Sequence, residues 1–179
     1  RLSEVLSNVH LNSRSGRLVR FVCKKDITLI ADYAHEAESL GEIASLSHKI
    51  KKGSGKVIGI VRLAHNRSDD HIKKVAKVLA AEYDHLIVYD KIDGYWYTPD
   101  PDKNNEGVKF PKIVGRTSEV LHAAIEKYGG SSERIIREDE AVEKAAQIAN
   151  DGDVVISIVG DDIARSIDFL KTSFEAEVL

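Results

Sequence analysis

The stretch Ile27-Thr28-Leu29-Ile30-Ala31-Asp32-Tyr33-Ala34-His35 decides the fold class of this chain. Its first residues are apolar or β-branched, and they predict a buried strand. A polar turn over residues 32–36 follows, and a helical pattern begins near Ala37. A strand, a turn and a helix in this order place the turn at the carboxyl edge of an open α/β sheet, where ligands bind. Asp32 and His35 are therefore candidate functional residues.

These two residues also have plainer explanations. An aspartate at a strand end is a common helix N-cap or turn residue. A single histidine in a loop is often only a solvated side chain. The positions of Asp32 and His35 alone do not distinguish a functional role from these structural ones.

The composition indicates one folded domain in a reducing compartment. The 179 residues suit a single domain, and 42% of them are hydrophobic, which is enough for a core. The net charge of −3 argues against general nucleic-acid binding. The one cysteine, Cys23, cannot form an internal disulfide, and its apolar strand favours core packing over nucleophilic chemistry. Because the sequence has no long apolar run and no leader pattern, it predicts a cytoplasmic protein without a membrane partner.

Strand and helix patterns alternate along most of the chain. Strands are predicted at 18–23, 27–31, 57–61, 86–89, 134–137 and 154–159, and helices at 37–52, 72–83, 117–127, 140–150 and 161–171. The first two strands are so close that they predict an antiparallel hairpin. The alternation predicts a Rossmann-like three-layer α/β sandwich, with a mostly parallel sheet of about six strands and an antiparallel edge strand from the hairpin.

Two stretches fall outside this alternation. Residues 1–16 are polar and predict a linker or the end of a preceding domain, which leaves residues 17–179 as the α/β domain. Residues 91–112 form a long loop with the aromatic run Tyr95-Trp96-Tyr97, which could be a lid, a partner contact, a peripheral hairpin or a variable insertion. The chain starts with Arg1 and contains no Met, so we expect it to be a piece of a longer or processed protein.

A parallel sheet would gather the strand-end loops along one edge. The side chains expected there include Asp32, His35, Arg67, Asp69 and Asp90. Carboxylates bind ribose hydroxyls and arginine binds phosphate, so this mixture is typical of a nucleotide site.

Several other chemistries lack their motifs. The sequence contains neither G-x-G-x-x-G nor a P-loop, so a dinucleotide cofactor is unsupported and the chain alone cannot hold ATP phosphates as a P-loop does. The spacing of its histidines and carboxylates predicts no metal site. The absence of G-x-S-x-G argues against the common serine hydrolases.

Six short strings resemble, in the same order, the C-terminal domain of the Mur ligase family, and most closely that of cyanophycin synthetase. The family patterns are P-G-R, D-Y-A-H, G-D-R-R-D-E, F-D, R-G-R-x-x-G-E and G-D-L-V-V-I. The matching strings are Ser15-Gly16-Arg17, Asp32-Tyr33-Ala34-His35, Arg67-Ser68-Asp69-Asp70, residues 83–88, residues 115–119 and residues 152–156. The resemblance covers about residues 15–171.

This resemblance implies a domain of an ATP-dependent amide-bond ligase. In that family a carboxylate is phosphorylated and an amine attacks the acyl phosphate, while a central P-loop domain, absent from this chain, mainly holds ATP and Mg²⁺. The C-terminal domain closes over that domain, which excludes water from the reaction. The implied roles are nucleotide binding for Arg17, Asp32 and His35, and substrate-side contacts for Arg67, Asp69 and Arg116.

The same resemblance implies partners for the chain. They are the preceding P-loop ligase domain and an amino-acid or peptide substrate, and an oligomer is left open. No nucleic acid is expected. The isolated chain is expected to be inactive, because the central domain is missing.

Two departures from the family pattern leave other functions open. Glu36-Ala37 follows the D-Y-A-H string where the family usually has Asn-Pro, and a carboxylate there would repel phosphate. The G-D-R-R loop reads His65-Asn66-Arg67-Ser68. These changes fit an altered substrate, or a non-catalytic domain that acts as a scaffold or partner-binding module. A third hypothesis is a free-standing flavodoxin-like nucleotide or flavin binder.

Overall fold

The fold is organised around one seven-stranded sheet. The computed structural model describes residues 17–90, 115–160 and 162–179. Within these residues the strands lie in the spatial order β5-β4-β3-β6-β2-β1-β7. They are β1 (Val19–Cys23), β2 (Thr28–Asp32), β3 (Val57–Val61), β4 (His85–Val88), β5 (Ser132–Arg134), β6 (Val154–Ile158) and β7 (Ala176–Val178).

Five helices in the described residues cover the two faces of this sheet. They are α1 (Ala37–Ile50), α2 (Asp69–Glu82), α3 (Arg116–Lys127), α4 (Glu138–Ile148) and α5 (Ile163–Ser173). The first three contribute their apolar faces to one core layer. The other two contribute theirs to the opposite layer. This is the predicted three-layer sandwich, which is therefore confirmed.

The centre of the sheet is parallel and fully buried. Strand β6 pairs in parallel with β2 on one side and with β3 on the other. Every residue of β3 and β6 is buried, because helices cover both faces of these strands. The two runs are accordingly almost continuously apolar, which is why they were predictable from sequence.

The other side of the sheet is antiparallel. Strand β1 pairs with β2 in the predicted hairpin, with Phe21 opposite Leu29. Strand β7 then pairs with the outer edge of β1. An ion pair between Lys24 and Glu175 joins the hairpin turn to the segment just before β7. The weakly patterned C-terminal tail thus supplies a seventh strand that the sequence did not predict.

Some element boundaries differ from the prediction. Helix α2 begins at Asp69, inside the predicted polar loop, because the Ser68 hydroxyl accepts a hydrogen bond from the His71 amide and caps the helix. Strand β5 lies at Ser132–Arg134 instead of 134–137, since its pairing with β4 sets its position. Asp162 caps α5, and its carboxylate accepts a hydrogen bond from the Arg165 amide. The predicted linker, the 91–112 loop and Asp161 lie outside the described residues.

Neighbouring strands β3 and β6 send their outgoing connections in opposite directions. Helix α2 leads from β3 to β4 on one side, while α5 leads from β6 towards β7 on the other. Such a divergence leaves a crevice at the carboxyl ends of the two strands. Arg62 and Gly160 follow those ends, and a Cβ built on Gly160 would lie 3.7 Å from the Arg62 Nε. The candidate residues described next surround this edge.

Candidate functional site

Asp32 is the last residue of β2 and only 5% exposed. Its carboxylate accepts a hydrogen bond from the Leu18 amide over 2.8 Å. Leu18 has a φ of 46°, a left-handed conformation that L residues with a side chain rarely adopt. The Asp32 carboxylate therefore holds a strained turn immediately after Arg17, in addition to any contact with a ligand.

Aromatic and basic groups cluster around the same turn. The Arg17 guanidinium carbon lies 5.9 Å from the centre of the Tyr33 ring. The His35 ring meets Tyr33 edge-on, with 5.7 Å between ring centres, and its Nδ1 lies 3.1 Å from the Tyr33 carbonyl oxygen. Because that carbonyl can only accept, the hydrogen bond places a proton on His35 Nδ1. Rings and a guanidinium in this arrangement can contact a base and a phosphate.

Glu36 forms the centre of a neighbouring ionic group. Its carboxylate accepts a hydrogen bond from Arg67 Nη2 at 3.0 Å. The Nε2 atoms of His35 and His71 each lie 3.8 Å from a Glu36 carboxylate oxygen. Glu36 occupies the N-cap position of α1, yet its side chain makes no capping hydrogen bond. The carboxylate has turned away from the helix towards Arg67; we call Glu36, His35, Arg67 and His71 the Glu36 cluster.

Two nitrogens of the Glu36 cluster have unused hydrogen-bonding capacity. Arg67 Nε and His71 Nε2 are covered from solvent and make no hydrogen bond within the described residues. Buried polar atoms normally find a partner, because an unmade hydrogen bond is expensive. The side chains themselves are 28% and 22% exposed, so this part of the edge is close to solvent.

Arg116 lies at the start of α3 and pairs with Asp69 at the start of α2. Gly115, directly before it, has a φ of 76°, so the turn needs a glycine. The Arg134 side chain donates to the Gly115 carbonyl and to the Ser118 hydroxyl, both over 3.0 Å. Arg134 on β5 thereby fixes the turn that presents Arg116.

The predicted site residue Asp90 has a structural contact. It is buried two residues beyond the end of β4 and accepts a hydrogen bond from the Ser118 amide over 3.2 Å. The contact satisfies one of the amides in the first turn of α3. Asp90 thus helps to anchor the same helix end that carries Arg116.

A second glutamate at this edge is buried. Glu138, the first residue of α4, accepts hydrogen bonds from the Ser166 hydroxyl at 2.5 Å and from the Tyr89 hydroxyl at 3.3 Å. The Tyr89 hydroxyl also lies 2.7 Å from the Ile158 carbonyl at the end of β6. We call Glu138, Tyr89 and Ser166 the Glu138 network. Together with the Ile158 contact, it ties α4, α5 and β6 to the residue that follows β4.

Two pKa shifts occur next to the Glu36 cluster. A hydrogen bond from Lys74 lowers the pKa of Glu38, and the same bond raises the pKa of Lys74. Both groups are exposed, so this pair contributes a stable surface charge pattern more than folding free energy. Beneath them, burial and the charges of Asp32 and Glu82 raise the pKa of Tyr83, whose hydroxyl donates to the Leu40 carbonyl.

The described ranges 17–90, 115–160 and 162–179 lack two further kinds of feature. No group of three or more His, Cys, Asp or Glu side chains there is arranged to hold a metal ion. None of the helices in those ranges combines the length and the apolar composition that a membrane crossing requires.

The structure brings the predicted residues to one edge of the sheet and adds new ones. Arg17, Asp32 and His35 share the turn around Tyr33, and Arg67 joins them through Glu36. Asp69 and Arg116 form their own pair next to this group. The additions are Glu36 as an ionic centre, His71, Arg134 and the Glu138 network.

The sequence carried only partial signals for these additions. Glu36 was visible as a departure from the family pattern, but its pairing with Arg67 joins two elements 31 residues apart. His71 lay in a stretch interpreted as the border between loop and helix. The Glu138 network joins three residues that lie far apart in the sequence, and no motif marks it.

The chain is similar to known proteins in sequence and in fold. The family profile described as "Mur ligase, glutamate ligase domain" matches residues 16–158. UDP-N-acetylmuramoyl-L-alanyl-D-glutamate–2,6-diaminopimelate ligase of Bacteroides thetaiotaomicron is 26% identical over 148 residues, which are 82% of this chain and 27% of that protein. The chain thus spans about a quarter of the length of this relative.

Solved structures share the fold at lower identity. A murein peptide ligase from Psychrobacter arcticus superposes with a TM-score of 0.64 at 16% identity, over 89% of this chain and 30% of that one. E. coli FolC in complex with DHPP and ADP gives a TM-score of 0.58 at 14% identity, over 88% of this chain and 31% of that one.

Proposed function

This chain belongs to the Mur ligase, glutamate ligase domain family, and we propose on that premise that it is the C-terminal domain of an ATP-dependent amide-bond ligase. It closes over a central P-loop domain and contributes contacts to the nucleotide and to the amine substrate. The observation that carries the proposal is the gathering of Arg17, Asp32, His35, Arg67, Asp69 and Arg116 along one sheet edge.

The residues around Tyr33 fit a nucleotide. Arg17 would hold phosphate oxygens, His35 would contact the nucleotide beside the Tyr33 ring, and Asp32 would accept from a ribose hydroxyl while keeping the Leu18 amide. The solved structure of E. coli FolC, which has the same fold, is of a complex with DHPP and ADP. ATP, when bound, supplies the phosphoryl group that activates the acid substrate. Mg²⁺ enters the proposal as an ion held mainly by the central domain.

The substrate side of the proposal rests on Arg67, Asp69 and Arg116. An amine substrate that is an amino acid or a peptide carries a carboxylate as well as an amino group. Guanidinium groups bind the carboxylate of such a substrate through bidentate hydrogen bonds, and the Asp69 carboxylate is an acceptor for its amino group. Arg134 keeps Arg116 at the start of α3, in position for this contact.

Three finer points belong to the same proposal. The parent protein is cytoplasmic. Residues 1–16 connect this domain to the preceding one. The acid and amine substrates include those of a cyanophycin-synthetase-type reaction. Family membership and the ionic pairs kept at the edge favour the ligase function over the scaffold hypothesis.

The test uses the parent protein with its central domain. Phosphate release is measured with ATP and a panel of amino acids, cyanophycin-type substrates included, and the products are identified by mass spectrometry. We expect Asp32→Asn and Arg116→Met each to reduce ligation by about 100-fold. The matched control is Lys127→Met, a cation at the far end of α3, and it should keep full activity. Full activity in Asp32→Asn and Arg116→Met would refute the assignment.

A further inference from the structure

The Glu36 cluster contains more hydrogen-bonding nitrogens than Glu36 satisfies. Arg67 Nη2 donates to a Glu36 oxygen at 3.0 Å, while Arg67 Nε makes no hydrogen bond within the described residues. His71 Nε2 is 3.8 Å from the other Glu36 oxygen, too far for a hydrogen bond, and is equally unsatisfied there. Both nitrogens are covered from solvent.

An arginine Nε and a neighbouring imidazole nitrogen form a typical oxyanion pair. A carboxylate or a phosphoryl group brings two or three acceptor oxygens and can take both donors at charge-assisted distances. Glu36 supplies the same kind of group but engages neither of these two nitrogens, since its hydrogen bond is to Arg67 Nη2. The Glu36 side chain is 48% exposed, so it can move away without opening the core.

From these contacts we propose that Arg67 and His71 form an oxyanion-binding site whose built-in occupant is Glu36. A ligand that carries a carboxylate or a phosphoryl group binds there by displacing the Glu36 carboxylate from Arg67. Glu36 thereby sets a threshold: weak anions are excluded, and a ligand must be held by other contacts as well. This inference rests on the proposed function only in identifying the ligand as part of a ligase substrate or nucleotide.

The competition has a definite sign. Glu36 and the incoming anion are both negative and need the same guanidinium, so removing the Glu36 charge must raise anion affinity. His35 also faces Glu36 at 3.8 Å, and Lys74 on α2 is engaged by Glu38. His35 is also held by the Tyr33 carbonyl and Lys74 by Glu38, so neither depends on Glu36 alone for its position, and we expect the change in affinity to report on Glu36 itself.

The experiment titrates the isotope-labelled 179-residue chain with inorganic phosphate and, separately, with acetate, at constant ionic strength. The readout is the ¹⁵N shift of His71 Nε2, which moves when that nitrogen gains an acceptor. We expect Glu36→Gln to bind phosphate about tenfold more tightly than the unsubstituted chain, the size of one charge-assisted hydrogen bond. A preference for phosphate identifies a phosphoryl site, and a preference for acetate identifies a carboxylate site.

Two further variants complete the test. Glu38→Gln removes a carboxylate from the same helix turn and should leave the affinity within about twofold, while Arg67→Met should abolish binding. Unchanged affinity in Glu36→Gln, equal gains in both glutamine variants, or binding retained in Arg67→Met would each overturn the inference. Because no ATP or ligase activity is measured, this result is separate from the failure or success of the proposed function.

Discussion

Two glutamates stand at the starts of helices along the same sheet edge, and they have opposite surroundings. Glu138 is 8% exposed and its carboxylate is bound by the hydroxyls of Ser166 and Tyr89. The Glu36 side chain is 48% exposed and is bound by Arg67, with two histidines at longer distances. Burial and the hydroxyls of two buried side chains hold the first carboxylate in one place, while partners near the surface leave the second free to exchange. The difference separates a residue that stabilises this edge from a residue that is available for binding a ligand there.

The largest expected effect comes from Glu138→Ala. The substitution leaves the buried Ser166 hydroxyl and part of the Tyr89 hydroxyl without an acceptor, so unfolding free energy should fall by about 2–3 kcal/mol. Urea unfolding followed by circular dichroism measures it. The control is Glu143→Ala on the exposed face of the same helix, expected within about 0.5 kcal/mol. An equal effect of both substitutions would break the comparison.

Tyr89→Phe should have the next largest effect. It removes one hydroxyl that donates to the Ile158 carbonyl, and the buried carbonyl then loses its partner. We expect a loss of about 1–2 kcal/mol in unfolding free energy. Tyr128→Phe, on a tyrosine that is 43% exposed, is the matched control and should change little. Equal stability of the two variants would show that the Glu138 network does not stabilise the edge.

Glu36→Gln should barely change stability. A partly exposed ion pair contributes little to folding, so the unfolding free energy should stay within about 0.5 kcal/mol of the unsubstituted chain. Thermal and urea unfolding of this variant measure the change. A loss as large as that of Glu138→Ala would mean that Glu36 is a structural residue, and it would remove the contrast between the two positions.

The smallest effect concerns a third glutamate, Glu175, which is exposed and lies directly before β7. A hydrogen bond from Lys24 lowers the pKa of Glu175 below its ordinary value of 4.5. The pair therefore helps to hold β7 above that pH, and its contribution is lost as the pH falls through the lowered pKa. A ¹³C titration of the Glu175 carboxyl should show a lower midpoint in the unsubstituted chain than in Lys24→Gln. Identical midpoints would exclude the contact in solution.

Much of the fold was predictable because its signals are local. The buried strands β3 and β6 are almost continuous apolar runs. The helices are amphipathic, with apolar residues recurring on the one face that packs against the sheet. Strand β7 was not predictable, because three residues with one buried side chain carry no period and depend on pairing with β1. The start of α2 was missed for a similar reason, since Ser68 alone marked it.

The candidate site was predictable only as a set of positions. Motif resemblance singled out Arg17, Asp32, His35, Arg67, Asp69 and Arg116, and the described structure brings them to one edge. Their nucleotide and substrate roles stay predictions. The resemblance to cyanophycin synthetase in particular stays a prediction that the substrate panel tests.

By itself, the sequence determined which residues are buried and in what order the elements follow, since hydrophobic periodicity and turn chemistry act over a few neighbours. It also determined the family, through short strings in a fixed order. Only the tertiary structure decided that Glu36 meets Arg67 and that Glu138 meets Ser166, although both glutamates begin helices. The reason is that a carboxylate takes its role from the partners and the solvent around it, and in both cases those partners come from distant segments.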